Sequence, residues 1–448
     1  MATIGLELVD AALIAVRDGR RAAASPGVAL LDPQGLLVGE AAIAAARLKP
    51  VLAADRFWAD LASDSQAATN GQVSAHADLA HAHLSQLWQA IGQPAEPVVF
   101  AVPGTMRLPQ IGLALGIARS IAMPVAGTVD SAVAACADLP ARAAVLHLDI
   151  HLHQAVLTRM QGAGLLRRAR VEIAPRVGIK SLHAAWAQLI SEVMVRSTRF
   201  DPLHQAASEQ QLHQRLPGWL DSLTAQEAID VSIDSDARAF TATLRREQFA
   251  LAAEAYYAQL IELVHGGRVA GEAATLVLSA RAAALPALRE RLAALADLEL
   301  LTLPDTAPAA AAAARADEIG PGEPSALATA LQRRHPVAAA DRHLRRAGAA
   351  SPTHVVLNGR AHLIDGNPLL IGLGDGSGRR LAISGPRTGI SRSHCTLLRR
   401  GGVAIVRDHS RYGSFINGER VDGEAVLGVG DRLRIGTPGI VLDLVAVA

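Results

Sequence analysis

Histidine and aspartate alternate with aliphatic residues along His147-Leu148-Asp149-Ile150-His151-Leu152-His153. On one continuous strand the four polar side chains share a face, because strand side chains alternate with a period of two. Imidazole and carboxylate at that spacing could hold zinc or nickel. A hairpin turn near His151 and Leu152 would break the alignment and leave only the polar side of a hairpin, and we expect no metal. A second set of reactive types lies in Ile390-Ser391-Arg392-Ser393-His394-Cys395 and in Asp408-His409-Ser410-Arg411-Tyr412-Gly413-Ser414-Phe415-Ile416-Asn417-Gly418. These are two turn motifs on a strand-rich background. Phosphate recognition needs arginine for charge and hydroxyls or amides for geometry. Residues 352–448 carry 12 arginines against 8 acidic residues, a modest positive surplus that permits such chemistry.

The elements that must position these residues can be read from the pattern. A chain of 448 residues suggests two or three domains, and its 50% apolar content is ample for packed cores. No apolar run reaches the ~18 residues needed to span a bilayer. The first residues carry no basic start or cleavage-type signal, and the two cysteines, Cys136 and Cys395, are far apart. A cytoplasmic protein without a disulfide framework or zinc site is the expectation. Net charge is +1, which gives no argument for nucleic acid. Lys49 and Lys180 are the only lysines, so arginine clusters must be discounted as compositional bias.

Residues 1 to about 300 alternate strand-like and helix-like patterns. Ile4 to Val16 and Gly27 to Val38 read as strands joined by turns, Ala75 to Ile91 as a helix, and Val98 to Pro103 as a buried strand. Leu108 to Ser120 is helical and Ala143 to Met160 strand-like. Ser181 to Val195 and Arg246 to Val264 read as long helices. Leu276 to Leu278 is a short strand, followed by a helix over Leu285 to Leu295. This order implies an α/β domain. The alanine run Ala307 to Ala316 reads as a closing helix, given alanine's propensity. Arg333 to Ala350 reads as a solvated connector with some helix. Residues 353–448 are strand and turn, with Asn358-Gly359 and Asn417-Gly418 as type I′ hairpin signals, which argues for a β-sandwich.

The C-terminal segment resembles the forkhead-associated (FHA) domain, a β-sandwich that reads phosphothreonine through loops at one end. Ser391, Arg392 and His394 match its Ser-Arg-x-His loop. The resemblance implies a serine hydroxyl that contacts phosphate and a histidine that braces the loops. Phe415-Ile416-Asn417-Gly418 matches the closing hairpin, so Asn417 and Gly418 are expected as structural loop residues. Two positions depart from the pattern. Leu373 follows Gly372 where the family has arginine, and Tyr412 precedes Gly413 where the family has asparagine. Arg379, Arg380 and Arg411 are the candidates for replacement charge.

The first ~300 residues resemble the actin-like ATPase fold, with duplicated RNase H-like subdomains, closest to DnaK-type chaperones. Gly39-Glu40-Ala41-Ala42, Ala101-Val102-Pro103-Gly104, Asp130 to Ala135 and Leu276 to Pro286 follow that family's segments in serial order. The nucleotide loops do not. The first phosphate loop is matched by Glu7-Leu8-Val9-Asp10-Ala11 and the second by Asp149-Ile150-His151-Leu152-His153-Gln154. The adenosine-loop glycines are replaced by Ser279-Ala280, and the catalytic lysine by Asp55. Glycine permits backbone to approach phosphate closely, so these losses imply a pseudo-ATPase with Glu7 and Asp149 vestigial. The chaperone family's peptide-binding domain has no counterpart, so refolding activity is not expected. His76, His81 and His83 read as exposed helix positions.

The sequence therefore predicts a pseudo-ATPase domain at 1–332, an arginine-rich connector at 333–351 and an FHA-like domain at 352–448. The expected function is non-catalytic partner recognition without a cofactor, either of a threonine-phosphorylated protein through an altered pocket or through a phosphate-independent interaction surface. The alternative is an ATPase whose nucleotide state regulates the FHA-like domain.

Overall fold

The computed structural model of the chain describes residues 3–62, 66–69, 72–320, 326–335, 351–374, 378–383 and 389–447. It divides into two compact units, Met1–Leu260 with Thr275–Ala338, and Ile261–Ala274 with Ala339–Ala448. The expected boundaries at 332 and 351 differ from this division in one segment. Residues 261–274 group with the C-terminal unit, and within them residues 268–270 pair by backbone with Arg420.

The first unit is built on two six-stranded sheets. In one, Arg20–Ser25, Ala12–Arg17 and Ile4–Val9 form an antiparallel meander, and Val98–Val102 and Val125–Asp130 continue it in parallel. In the other, Leu165–Pro175, Gln154–Gln161 and Ala144–Ile150 form the meander, Ala274–Leu278 joins in parallel, and Leu298–Thr302 follows. Both sheets thus place their strands in the order third, second, first, fourth, fifth. The parallel strands Val98–Val102 and Ala274–Leu278 are buried along their whole length, as expected for strands covered on both faces.

Helices His76–Ala90 and Leu108–Ser120 bury Leu79, Leu84, Ile111 and Ile117 at the spacing of one helical face. They pack with Leu6, Leu8, Val98 and Phe100 of the first sheet. The alanine helix, Ala307–Ala314, lies against strand Ile4–Val9. A Cβ on Gly5 would fall 1.7 Å from the Ala309 carbonyl oxygen, so only glycine permits this approach. Elements not expected from the sequence include helix Ala206–Leu223, the hairpin Ala228–Ser235/Arg238–Arg245, and the strands Arg20–Ser25, Val125–Asp130, Leu165–Pro175 and Leu298–Thr302.

Three expectations are corrected here. Ala143 to Met160 is not one strand, because the chain reverses between Ile150 and Gln154. His83 is not a surface residue. It is 0% exposed, accepts the Trp58 indole N–H on Nδ1 at 2.9 Å and meets Ser25 Oγ through Nε2 at 2.7 Å. His76 is buried as well. Finally, Arg333 does not begin a solvated connector. It is 5% exposed and donates to the carbonyl oxygens of Ala141 at 3.2 Å and Arg142 at 2.9 Å. Most of the expected connector, residues 336–350, lies outside the described residues.

The C-terminal unit is a pair of sheets around one core. Arg360–Leu363, His354–Leu357, Ile440–Val445, Arg432–Ile435, Ser414–Ile416 and Glu419–Arg420 form the first, wholly antiparallel. Arg380–Ala382, Leu369–Gly372, Cys395–Arg400, Val403–Asp408 and Glu424–Val426 form the second. Strand Ile440–Val445 alternates in burial, with Leu442 and Leu444 inward and Val441 and Asp443 outward. Ile371, Leu397, Val406, Leu433 and Leu442 join the two sheets in one cluster. Asn358-Gly359 and Asn417-Gly418 take positive φ at both positions, the type I′ geometry their sequence signals. Among the described residues no helix is long and apolar enough to cross a membrane.

Candidate functional site

The loop Ser391–His394 is held against the end of strand Leu369–Gly372 by three backbone bonds. His394 donates to Ile371 at 2.8 Å, Leu373 to Ser391 at 3.2 Å and Gly374 to Arg392 at 3.0 Å. Gly372 is needed for this approach, since a Cβ there would lie 2.3 Å from the Arg392 carbonyl oxygen. His394 is 0% exposed and binds both candidate loops. Its Nδ1 accepts the Ser391 amide at 3.0 Å, which leaves the ring proton on Nε2 to reach the Gly413 carbonyl at 3.0 Å. Burial holds its pKa below the ordinary histidine value, in keeping with a neutral ring.

The second loop turns at Ser410, whose Oγ accepts the Gly413 amide at 2.7 Å, and Gly413 has φ +83. Asp408 accepts from Ser410 N at 3.2 Å and from Ser414 Oγ at 2.9 Å. The two loops meet where the Arg411 amide donates to Ser391 Oγ at 3.3 Å. That leaves the Ser391 hydroxyl proton available to an acceptor. Arg392 and Arg411 are exposed, and among the described residues neither guanidinium has a hydrogen-bonding or acidic partner. Tyr412 is 44% exposed at this rim, and Leu373 packs against the core.

The five candidate phosphate-binding residues therefore separate. Ser391 and Arg411 meet through the Arg411 amide, and Arg392 is exposed beside Ser391 in the same loop. Arg379 does not join them, because its guanidinium bonds to Asp365 and to the carbonyls of Leu363 and Asn367. Arg380 donates to the carbonyl oxygens of Gly374 at 2.9 Å and Arg392 at 3.1 Å, so it braces the loop from behind. Asn417 fastens its hairpin by donating to Asp431 Oδ1 at 2.7 Å and accepting the Arg432 amide at 2.9 Å. Sequence reasoning missed Arg420, whose guanidinium lies against Gly413 and whose charge centre is 5.8 Å from the Phe415 ring centroid.

In the first unit, Glu7 and Asp149 do converge, but on an arginine. Arg281 Nε and Nη2 donate to Asp149 at 3.0 and 2.7 Å, and Nη2 also donates to Glu7 Oε1 at 2.8 Å. Burial alone would raise Asp149, yet the Arg281 charge and the His151 hydrogen bond hold its carboxyl well below the usual range. Burial prevails at Glu7, whose pKa is raised. The same two carboxylates drive Arg281 well above its ordinary value against the effect of burial.

The histidines disperse around this group. His151 lies 3.4 Å from Asp149, and His153 reaches the Asp55 carbonyl at 2.9 Å and its carboxylate at 3.4 Å. Lys180 also meets Asp55, at 2.5 Å. His147 is buried with Nε2 unpartnered among the described residues, and burial lowers its pKa to about 4. Asp10 accepts the Leu152 amide at 2.9 Å. A cavity of about 420 Å³ opens beside Asp10, Gln110, His151 and Gln154; Glu7, Asp149 and Arg281 do not line it.

Residues 371–436 match the family model of the FHA domain. The match begins at the strand that holds the Ser391 loop and ends at Gly436, whose amide donates to Gly413. No curated protein was found to match the chain.

Proposed function

We propose that this protein is a non-catalytic interaction protein whose FHA-type unit recognises a partner through a phosphorylated threonine. The observation that carries the reading is the junction of the two loops, where the Arg411 amide meets Ser391 Oγ at 3.3 Å and two exposed arginines, Arg392 and Arg411, flank that hydroxyl in the chain. Guanidinium is suited to phosphate by its planar fork of donors, and a hydroxyl adds a directional bond. Binding of a pool of degenerate phosphothreonine peptides, measured against the unphosphorylated pool, tests it. Preference for the phosphorylated pool, lost on Ser391→Ala and on Arg411→Ala, is the expected result. Equal binding of both pools makes the unit a phosphate-independent scaffold.

The first unit serves in this reading as a pseudo-ATPase of the actin-like kind. The repeated strand order of its two sheets supports a pair of RNase H-like halves. Arg281 supports the loss of activity, since its guanidinium occupies the carboxylates that phosphoryl transfer would use to hold a metal. The partner is a protein, and the unit acts without a cofactor.

A further inference from the structure

Strand Glu419–Arg420 is the outer strand of its sheet, and an outer strand offers unpaired backbone groups to an incoming segment. Residues 268–270, from some 150 positions upstream, take up that offer. Val269 forms a parallel bridge with Arg420, the Arg420 amide donates to the Arg268 carbonyl at 3.0 Å, and the Ala270 amide donates to the Arg420 carbonyl at 3.0 Å. The side chains seal the junction. Arg268 Nη1 meets Glu419 Oε1 at 2.8 Å with side-chain exposures of 3% and 15%, and Ala270 packs on the unit's core. Arg420 is thereby fixed at its backbone. Its guanidinium has no acidic partner among the described residues and lies where a Cβ on Gly413 would be 3.0 Å from Cζ and Nη1. Gly413 in turn accepts the His394 ring proton and follows Tyr412 and Arg411 in the recognition loop.

We infer that residues 268–270 are an internal ligand for the open edge of the FHA-type sheet, and that by fixing Arg420 against Gly413 they set the geometry of the phosphopeptide-recognition loop. Arg420 is a positioning residue and touches no phosphate in this scheme. The recognition part rests on the function proposed above, whereas the edge docking stands without it. A consequence is regulation: whatever releases residues 268–270 from the edge loosens the Arg411–Gly413 turn and weakens peptide binding.

Charge reversal tests both parts on the full chain. Arg268→Glu and Glu419→Arg each place like charges at a buried contact, and the double variant restores opposite charges. Amide hydrogen exchange over residues 411–421 reads the edge, and affinity for the phosphothreonine pool reads the site. Each single reversal should speed exchange there about tenfold or more, since an uncompensated buried charge favours local opening. Each should also weaken pool binding about threefold or more. The double variant should recover much of both. Unchanged exchange in the single variants overturns the docking. Faster exchange with unchanged peptide affinity overturns the coupling. Should the unaltered chain show no preference for phosphorylated peptides, the proposed function fails, and the coupling with it, while exchange still decides the docking. Ala270→Pro, which removes the amide donated to Arg420 without altering charge, should reproduce the faster exchange; if it does not, the reversals act by repulsion alone and the docking is overturned.

Discussion

Replacing Arg281 with methionine should destabilise the first unit severely. The side chain is 16% exposed, and its two partners, Glu7 and Asp149, are 1% and 6% exposed at the side chain. Methionine keeps much of the volume and removes the only guanidinium that bonds to both carboxylates among the described residues. Breaking a buried ion pair from one side costs about 3–5 kcal/mol. For a unit of this size that corresponds to a fall in Tm of roughly 6–10 °C, at the low end of the usual scaling. All four tryptophans, Trp58, Trp88, Trp186 and Trp219, belong to this unit, so intrinsic fluorescence follows its unfolding separately from the other. Without Arg281 both carboxyl groups should have folded pKa values above their unfolded ones, so the variant gains relative stability as pH falls and the deficit at pH 5 should be smaller than at pH 8. Adding Glu7→Gln and Asp149→Asn should return part of the loss, because it removes the buried charges that Arg281→Met leaves uncompensated. A variant that melts with the unaltered chain at pH 7.5, or a triple variant no better than the single one, would refute the view that Arg281 is the structural counter-charge of this site.

The same occupancy predicts no thermal shift with Mg-ATP; a ligand at 100 times its Kd would add about 2.7 kcal/mol, so a clear rise in Tm in the first unit would revive the ATPase alternative. His83 carries a pH dependence. Burial lowers its pKa to about 4 against 6.5 when unfolded, so its own contribution to the first unit is fully present above pH 6.5 and falls by on the order of 3 kcal/mol as pH drops from there to about 4, a loss that tryptophan fluorescence should show reduced in His83→Gln. In the second unit, Arg379→Ala should lower stability through loss of its bonds to Asp365 and two carbonyls yet leave peptide affinity unchanged, whereas Arg411→Ala should do the reverse; identical effects of the two on affinity would dissolve the distinction drawn between them. His394→Ala should loosen both loops and be seen as faster amide exchange at Ser391 and Gly413.

Much of the C-terminal unit was legible because its turns announce themselves. Asn358-Gly359 and Asn417-Gly418 adopt the dihedrals their types favour, and the Ser391 and His394 spacing needs only a local loop to work. What sequence could not show was which arginines were already engaged. Arg379 and Arg380 differ from Arg392 and Arg411 only in their neighbours in space. In the first unit the alternation of strand and helix was readable, but helix Ala206–Leu223 was not, since Pro217 sits inside it where proline removes a backbone donor. The hairpin after it turns on Asp236 and Ala237, both at positive φ, and alanine gives no turn signal. His83 looked like any polar helix residue until Trp58 and Ser25, distant in sequence, closed around it. Arg281 lies in the Leu276 to Pro286 segment, where sequence shows only a resemblance to the chaperone family, because its role depends on two carboxylates more than a hundred residues away.

The edge contact of residues 268–270 also has a consequence for the order in which the molecule can be made. Those residues leave the ribosome about 150 positions before Glu419 and Arg420, a delay of roughly 8–30 s at ~5–20 residues per second. Throughout that interval Val269, 8% exposed once folded, and the guanidinium of Arg268 have no edge to meet. The strand Ile440–Val445, which joins His354–Leu357 to Arg432–Ile435, comes later still. The first unit's strands from both sides of this segment can assemble while it waits, but the second unit cannot close during synthesis of its own early part. Its folding is therefore set by the last strands to emerge, and a nascent chain stalled before residue 419 would lack the edge that residues 268–270 pair with.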